Sequence, residues 1–284
     1  MAKAIMVQGT ASGVGKTILT LALCRIFKNE GYSVAPFKAQ NMTSNTTFTD
    51  SGHEIAVSQW LQATAAGITA DGRMNPVLLK YSTGKKGTDV IVSGKYFDTI
   101  NAHKFKEMKN GLVAEIMNAY NSLSKQYDIL VIEGAGSPVE LNLNKDDVVN
   151  MGMAKRAKAP VILVADVDRG GVFSSIYGTL QLLDKSERGY VKSVIVNRFR
   201  GDISSFGDGV GILERITGLP VVGVVPYVHV DLPEEDKLYN GGNSASLSDP
   251  FIESKFDDIA DTVQKSLNMN LVYEILNKGV EANI

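Results

Sequence analysis

Residues 8–17, QGTASGVGKT, form a glycine-rich segment between a short apolar run and an amphipathic stretch. The run before it is Ala4–Val7, and the stretch after it is Thr17–Lys28, TILTLALCRIFK. Glycines let a backbone turn closely around an anion, and successive N–H groups then point inward as donors. The pattern predicts a strand, a phosphate-binding loop and a helix, in that order.

The loop positions have distinct predicted roles. Lys16 is predicted to bridge the outer phosphates of a nucleotide, and the Thr17 hydroxyl to hold Mg²⁺. The strict loop pattern has a glycine where this chain has Thr10, with Gly9 one position earlier, so the loop is a variant. The competing interpretation is a chance Gly-Lys-Thr at a helix start, which the strand–loop–helix context makes the weaker one. The predicted nucleotide contacts are Gly9, Thr10, Ala11, Ser12, Gly13, Val14, Gly15, Lys16 and Thr17.

Short β-branched runs recur along the chain, apolar almost throughout rather than alternating. They are Ala4–Val7, Ser33–Phe37, Asp128–Ile132, Val161–Ala165, Ser193–Val196 and Val221–Val225. Such runs are typical of parallel strands that helices cover on both sides. Helical patterns lie between several of them. The sequence therefore predicts an α/β fold of the P-loop NTPase type, with a doubly wound, mainly parallel sheet and helices on both faces.

Other segments predict the organisation of the chain. Polar and small residues predict a loop at Thr43–Gly52, a tight turn at Thr83–Thr88 before a strand at Val90–Val92, and a linker at Tyr239–Pro250. Helical patterns are predicted at Lys104–Ser124 and, as one or two amphipathic helices, at Phe256–Leu276. The predicted division is a synthetase domain over 1–238, a linker over 239–250 and a helical tail over 251–284.

Charge and hydropathy exclude several partners. The 284 residues carry 29 Lys and Arg against 31 Asp and Glu, a formal net charge of −2. This balance predicts no broad attraction to nucleic acid or to anionic lipid. No apolar stretch approaches the roughly 18 residues that a membrane helix needs, and no secretory signal opens the chain. A cytoplasmic location is predicted.

One cysteine and three histidines are too few for disulfide-linked or Cys/His metal sites. Cys24 is the only cysteine, so an internal disulfide and a multi-cysteine metal site are excluded. Its apolar neighbours predict a buried packing role. His53, His103 and His229 are too scattered for a histidine-based metal cluster and are predicted to lie on the surface or in loops.

Polar residues follow several of the predicted strands. Glu133, after the strand in DILVIEGAG (128–136), is predicted to face a phosphate-bound Mg²⁺, and Gly134 to permit close approach of a substrate. Asp166 and Asp168 lie in VADVDRGG (164–171), where a ligand-binding role and a structural turn are equally weighted for both. Asn197 ends another strand, and its amide could read the edge of adenine or could cap the strand–loop junction.

Several separate stretches together resemble the ATP-binding amidotransferase domain of the cobyric acid synthase family, related to dethiobiotin synthetase and cobyrinic acid diamide synthase. The resemblance covers about residues 2–236. It rests on VQGTASGVGKT (7–17), APFKAQNM (35–42), Glu54-Ile55 with Gln59 and Gln62, MNPVLLK (74–80), VIEGAGSPVELNL (131–143), VNMGMA (149–154), ILVADVDRGGVF (162–173), VNRFRGD (196–202) and DLPEED (231–236).

The resemblance implies a reaction and assigns residues to it. ATP would phosphorylate a carboxylate of a corrinoid, cobyrinic acid a,c-diamide or its adenosylated form, and ammonia would displace the phosphate to leave an amide. Lys16, Lys38 and Glu133 would be catalytic, and Thr17, Glu54 and Glu133 would approach Mg²⁺. Gln40, Asn41, Gly134 and Asp168 would face the substrate, and Asn197 would contact adenine.

One departure from the family concerns the ammonia source. Full-length members carry a glutaminase domain with a nucleophilic cysteine, whereas Cys24 lies in the helix after the phosphate loop. The sequence therefore predicts ammonia from solution or from a separate glutaminase subunit, and leaves a homodimer open. Two alternatives also stay open: a dethiobiotin-synthetase-like enzyme for another substrate, and a regulatory P-loop ATPase without synthetic activity. Thr10–Gly13 lacks the extra loop lysine of ParA/MinD-type ATPases.

Overall fold

Strands and helices alternate along most of the chain. The structure, a computed structural model, describes residues 1–81, 87–142, 147–228 and 250–280. The strands in these ranges are β1 (Lys3–Gly9), β2 (Val34–Phe37), β3 (Gln40–Met42), β4 (Thr46–Phe48), β5 (Glu54–Ala56), β6 (Val77–Tyr81), β7 (Thr88–Val92), β8 (Lys95–Ile100), β9 (Ile129–Glu133), β10 (Val161–Asp166), β11 (Val191–Phe199) and β12 (Val221–Pro226). The helices are α1 (Lys16–Asn29), α2 (Val57–Ala65), α3 (Ala102–Ser124), α4 (Met151–Ala157), α5 (Val172–Leu182), α6 (Lys185–Arg188), α7 (Gly209–Thr217), α8 (Pro250–Ser266) and α9 (Met269–Lys278).

The main sheet consists of six parallel strands in the order β12-β11-β10-β1-β9-β2. β1 lies between β9 and β10, with Met6 opposite Ile132 on one side and Val161 on the other. Every residue of β9 and β10 is buried, as expected when helices cover both faces. The predicted fold class and all six predicted strands are confirmed, with ends that shift by a few residues. The phosphate loop follows the central strand β1 at the edge where parallel sheets bind ligands.

A second, smaller sheet was not predicted as a unit. Its order is β3-β6-β7-β8, with β3 parallel to β6 and the other neighbours antiparallel. The strand predicted at Val90–Val92 is confirmed as part of β7. The tight turn predicted at Thr83–Thr88 lies outside the described residues, except that residue 87 precedes β7 and Thr88 begins it.

The loop predicted over Thr43–Gly52 is wrong in its centre. Thr46–Phe48 forms β4, which pairs with β5 in an antiparallel hairpin. Threonine is β-branched and fits a pleated strand, so Thr46 and Thr47 pair with Ala56 and Ile55 despite the polar character of the segment.

Two helices close the described part of the chain and confirm the helices predicted over Phe256–Leu276, although α8 begins earlier, at Pro250, and α9 ends later, at Lys278. α8 and α9 are separated at Leu267, which forms a β-bridge with Gly223 of β12. Phe256 and Val263 are buried in the same core as the main sheet, and α8 packs along α1. The helices predicted at Thr17–Lys28 and Lys104–Ser124 are confirmed as α1 and α3.

The predicted linker Tyr239–Pro250 lies outside the described residues, except for Pro250 at the start of α8. The division into 1–238, 239–250 and 251–284 therefore stays a prediction. Among the described helices, none combines the length and the apolar composition needed to cross a bilayer.

Candidate active site

The segment between β1 and α1 is a tight loop whose shape depends on glycine. Gly13 has φ +72° and Gly15 has φ +96°, in the left-handed region that glycine enters freely. A Cβ on Gly15 would lie 2.1 Å from Asn197 Nδ2, so the loop also sits directly against the end of β11. Asn197 Nδ2 donates to the carbonyl oxygen of Val14 at 2.8 Å and thereby supports the loop.

Gly9 explains why this loop departs from the strict glycine spacing. A Cβ on Gly9 would lie 2.5 Å from Val14 Cγ2 and 3.0 Å from Lys16 Nζ. The close approach that glycine permits is therefore needed at position 9. Lys16 is buried and reaches back across the loop, donating from Nζ to the carbonyl oxygens of Ala11 and Gly136, each at 3.0 Å. Its ammonium thus lies among main-chain oxygens at the mouth of the loop.

Glu133, at the end of β9, joins the phosphate loop to the end of β2. Its Oε1 accepts from Thr17 Oγ1 and from Lys38 Nζ, both at 2.9 Å, and its Oε2 accepts from Gln62 Nε2 at 2.6 Å. The Glu133 and Lys38 side chains are 0% and 4% exposed. Three predicted site residues, Thr17, Lys38 and Glu133, are therefore brought together in one buried cluster.

Two glutamines of α2 extend this cluster, and neither was predicted as a site residue. Gln59 Nε2 donates to Gln62 Oε1 at 3.4 Å, and Asn41 Nδ2 donates to Gln59 Oε1 at 2.9 Å. Both glutamines are fully buried, and Asn41 is 3% exposed. The sequence signal that could have found them is the spacing of three, which puts two polar side chains on one face of a short helix.

Glu54 and Gln40 lie in the smaller sheets. Glu54 Oε1 accepts from Thr46 Oγ1 at 2.7 Å and from Lys80 Nζ at 2.5 Å, across the hairpin and the neighbouring strand. The contacts described for Glu54 are thus structural, and its role as a metal ligand stays a prediction. Gln40 is half-buried and pairs with Val77 at the start of β3.

Gly134 follows Glu133 in a closely packed turn. A Cβ there would lie 2.3 Å from Asn150 Oδ1. The Asn150 side chain accepts from the Ala135 N–H at 3.1 Å and donates to the carbonyl oxygens of Ala135 and Ser137 at 2.6 and 3.1 Å. Packing against Asn150 is therefore sufficient reason for this glycine, and its predicted substrate contact stays untested.

Carboxylates at the end of β10 pair with guanidinium groups at the end of β11. Asp168 accepts from Arg200 through both carboxylate oxygens, at 2.6 and 3.1 Å, and this pairing lowers the pKa of Asp168. Buried Asp166 pairs with Arg198 at 3.2 Å. Arg198 has φ +63°, a backbone conformation that non-glycine residues seldom adopt. The described partner of Asp168 is thus the arginine that directly follows β11, and its predicted substrate contact stays a prediction.

The comparison with known families decides the class of this site. Residues 5–239 match the family described as the CobQ/CobB/MinD/ParA nucleotide binding domain. The chain belongs to this family. Membership confirms the predicted nucleotide-binding class and the resemblance on which the site prediction rests.

Relatives of this CobQ/CobB/MinD/ParA domain include full-length synthases. The cobyric acid synthase of Ruminiclostridium cellulolyticum is 52% identical over 238 residues, 84% of this chain and 46% of that protein. The cobyric acid synthase of Citrobacter koseri is 53% identical over 83% of this chain and 46% of that protein. The chain spans about half the length of these curated relatives. Among solved structures, the signal recognition particle receptor FtsY from Elizabethkingia anophelis matches 92% of this chain and 65% of that chain, with 18% identity and a TM-score of 0.47.

Among the described side chains, Cys24 lies in α1 and His53 in the hairpin of β4 and β5, and neither is a hydrogen-bond partner described for Glu133. Cys24 is fully buried in α1, and burial raises the pKa of its thiol, with a smaller effect of Glu133. This agrees with the predicted packing role. His53 Nδ1 lies 3.3 Å from Ser51 Oγ in the hairpin turn, whereas His229 lies outside the described residues and nothing is described of the side chain of His103.

Proposed function

We propose that this chain is an ATP-dependent, amide-forming ligase for corrinoid carboxylates, converting cobyrinic acid a,c-diamide towards cobyric acid in cobalamin biosynthesis. The observation that carries the proposal is the buried Glu133 carboxylate, which holds the loop residue Thr17 and the β2-end residue Lys38 on one oxygen. A phosphoryl group at the loop would therefore meet an ammonium at a fixed position. The similarity to cobyric acid synthases supports the corrinoid as substrate class.

The described side chains fit a magnesium ion that phosphates help to hold. Mg²⁺ takes one or two protein oxygens together with waters and substrate phosphates. In the described ranges, no three His, Cys, Asp or Glu side chains form a metal-binding group. The Thr17 hydroxyl donates a hydrogen bond to Glu133, and a hydroxyl oxygen can bind a cation through a lone pair while its hydrogen points to an acceptor. Bound there with Thr17 and Glu133, Mg²⁺ would supply positive charge to the phosphate oxygens.

The proposed reaction has two steps, phosphoryl transfer to the carboxylate and displacement of phosphate by ammonia. A substrate carboxylate oxygen attacks the γ-phosphorus of ATP, and the bond from that phosphorus to the β-phosphate oxygen breaks. ADP departs, and the substrate now carries an acyl phosphate. Ammonia then attacks the acyl carbon, loses a proton, and expels inorganic phosphate to leave the amide. Lys16 and Lys38 stabilise the negative charge that develops on the transferring phosphoryl group. The carbonyl oxygens of Ala11 and Gly136 hold Lys16, and Glu133 holds Lys38.

Ammonia is proposed to come from solution or from a separate glutaminase subunit. Cys24, the one cysteine of the sequence, is fully buried, and burial raises the pKa of its thiol, which makes it a poor nucleophile.

An assay with purified protein tests this function. ATP, Mg²⁺, ammonium and cobyrinic acid a,c-diamide are expected to give phosphate release together with stepwise mass decreases of the corrinoid, one for each carboxyl OH that NH₂ replaces. The Lys16→Ala variant is expected to fold and to lose activity by at least about 100-fold, since removing one group that stabilises transition-state charge has that effect. Activation of another carboxylate would instead favour the dethiobiotin-synthetase-like alternative. ATP hydrolysis that ignores the corrinoid and responds only to a protein partner would favour the regulatory one.

A further inference from the structure

The hydrogen bonds of Gln59 and Gln62 have one direction, which the carboxylate at their end determines. Glu133 faces the Lys38 ammonium, and an ionised carboxylate only accepts hydrogen bonds. Gln62 must therefore turn its NH₂ group towards Glu133 Oε2, at 2.6 Å. The same NH₂ group lies 3.3 Å from the carbonyl oxygen of Thr17, so both of its hydrogens have acceptors.

The next hydrogen bonds along α2 have the same direction. With the Gln62 amide so turned, its Oε1 accepts from Gln59 Nε2 at 3.4 Å. Gln59 Oε1 then accepts from Asn41 Nδ2 at 2.9 Å and from Ser58 Oγ at 3.1 Å. Each amide donates towards Glu133, and the side chains of Asn41, Gln59 and Gln62 are all buried. Aligned hydrogen bonds in a low-dielectric interior strengthen one another.

We propose that Gln62 is a positioning residue that fixes the metal-facing orientation of Glu133, and that Gln59 holds the Gln62 amide in the required orientation and links it to Asn41. Glu133 Oε1 accepts hydrogen bonds from Thr17 and Lys38. The buried Oε2 atom therefore needs a separate donor to hold the carboxylate in this orientation. Without Gln62, the Glu133 carboxylate can rotate about its side-chain bond. The Thr17 hydroxyl then loses its acceptor, and its oxygen lone pairs no longer point in a fixed direction. This inference rests on the proposed function, because it assumes a Mg²⁺–nucleotide at the loop.

The test measures nucleotide binding with and without Mg²⁺, by calorimetry with ADP and with a non-hydrolysable ATP analogue. In Gln62→Met, which keeps the side-chain length, the gain in affinity that Mg²⁺ provides is expected to fall by about 10- to 100-fold, as for other partners of metal ligands. The affinity for metal-free nucleotide is expected to stay within about twofold, because the phosphate loop itself is unchanged.

Two further variants separate positioning from packing. Gln59→Met is expected to give a smaller loss of the Mg²⁺ effect, in the same direction, and tests the inference if Gln62→Met does not fold. Thr64→Val is the matched control, because Thr64 lies on the same helix and its hydroxyl donates only to Trp60 of that helix among the described contacts. Its Mg²⁺ effect is expected to equal that of the wild type.

The outcomes distinguish this inference from the proposed function. A Mg²⁺ effect that persists in both glutamine variants overturns the inference alone. A Mg²⁺ effect that the variants lose, in a protein that does not amidate the corrinoid, supports the inference and overturns the proposed function. Wild-type protein that binds no nucleotide, or gains nothing from Mg²⁺, overturns both.

Discussion

At the scale of single residues, Gly15 determines whether the phosphate loop can form. Its φ is +96°, and a Cβ at this position would lie only 2.1 Å from Asn197 Nδ2, so the Asn197 side chain would have to move. Gly15→Ala is expected to cost about 1–3 kcal/mol of strain and to weaken nucleotide binding.

The matched control is Gly211→Ala in α7, where a Cβ meets nothing within 4 Å. That change is expected to raise the free energy of unfolding by about 0.5–1 kcal/mol. Equal effects of both variants in urea unfolding would contradict this account.

The buried pair of Glu133 and Lys38 gives a second prediction at this scale. Glu133→Gln leaves a buried ammonium facing a neutral amide, and breaking such a pair costs about 3–5 kcal/mol. Adding Lys38→Met removes that charge, so the double variant is expected to regain much of the lost stability but none of the amidation activity. Urea unfolding and the corrinoid assay measure the two effects. A double variant less stable than Glu133→Gln would show that charge burial is not the cause.

At the scale of elements, an ion pair attaches α8 to α1. Arg25 Nε and Nη2 donate to the two Asp257 carboxylate oxygens at 2.7 and 2.8 Å, and Nη1 donates to Glu253 Oε2 at 2.7 Å. The Arg25 side chain is 5% exposed and that of Asp257 is 48% exposed. The hydrogen bonds from Arg25 are the largest influence on Asp257 and lower its pKa from 3.8 to about 2.

This lowered pKa predicts a pH dependence of stability. A carboxylate with a lowered folded-state pKa stabilises the fold above its ordinary pKa of 3.8, and that contribution is lost as the pH falls towards about 2. Asp257→Asn is expected to be less stable than wild type at pH 7, by at most about 1 kcal/mol for a half-exposed carboxylate. The gap is expected to narrow below pH 4. Asp258→Asn, at an exposed neighbouring position, is the control. A gap that stays constant from pH 7 to pH 2.5 would contradict the assignment.

The sequence predicted the main sheet better than the smaller one, for a physical reason. Strands buried on both faces are apolar throughout, so β9 and β10 could be recognised from a short window. β4 and β8 lie in partly exposed sheets and carry mixed polar residues, such as Thr46 and Lys95, so no local pattern marks them. Their pairing depends on neighbours that become adjacent only in the folded chain.

At the scale of the whole molecule, the active-site prediction depends on contacts between distant parts of the chain. Thr17 and Glu133 were predicted from the phosphate-loop pattern and from the end of a strand, whereas Lys38 was predicted only through the resemblance to the family. Gln62 was not predicted, because its spacing of three from Gln59 shows only that the two share a helix face, and its partner Glu133 is 71 positions away. Arg25 likewise meets Asp257 across 232 positions. Topology alone brings these side chains together.

The central claim is that the loop between β1 and α1 binds ATP so that its terminal phosphoryl group passes to a substrate carboxyl oxygen. Amidation of a corrinoid whose carboxylates carry ¹⁸O tests it most directly, with mass analysis of the released phosphate. The account predicts one ¹⁸O atom in each inorganic phosphate formed, because the carboxyl oxygen leaves with the phosphoryl group. Phosphate without the label would contradict the account.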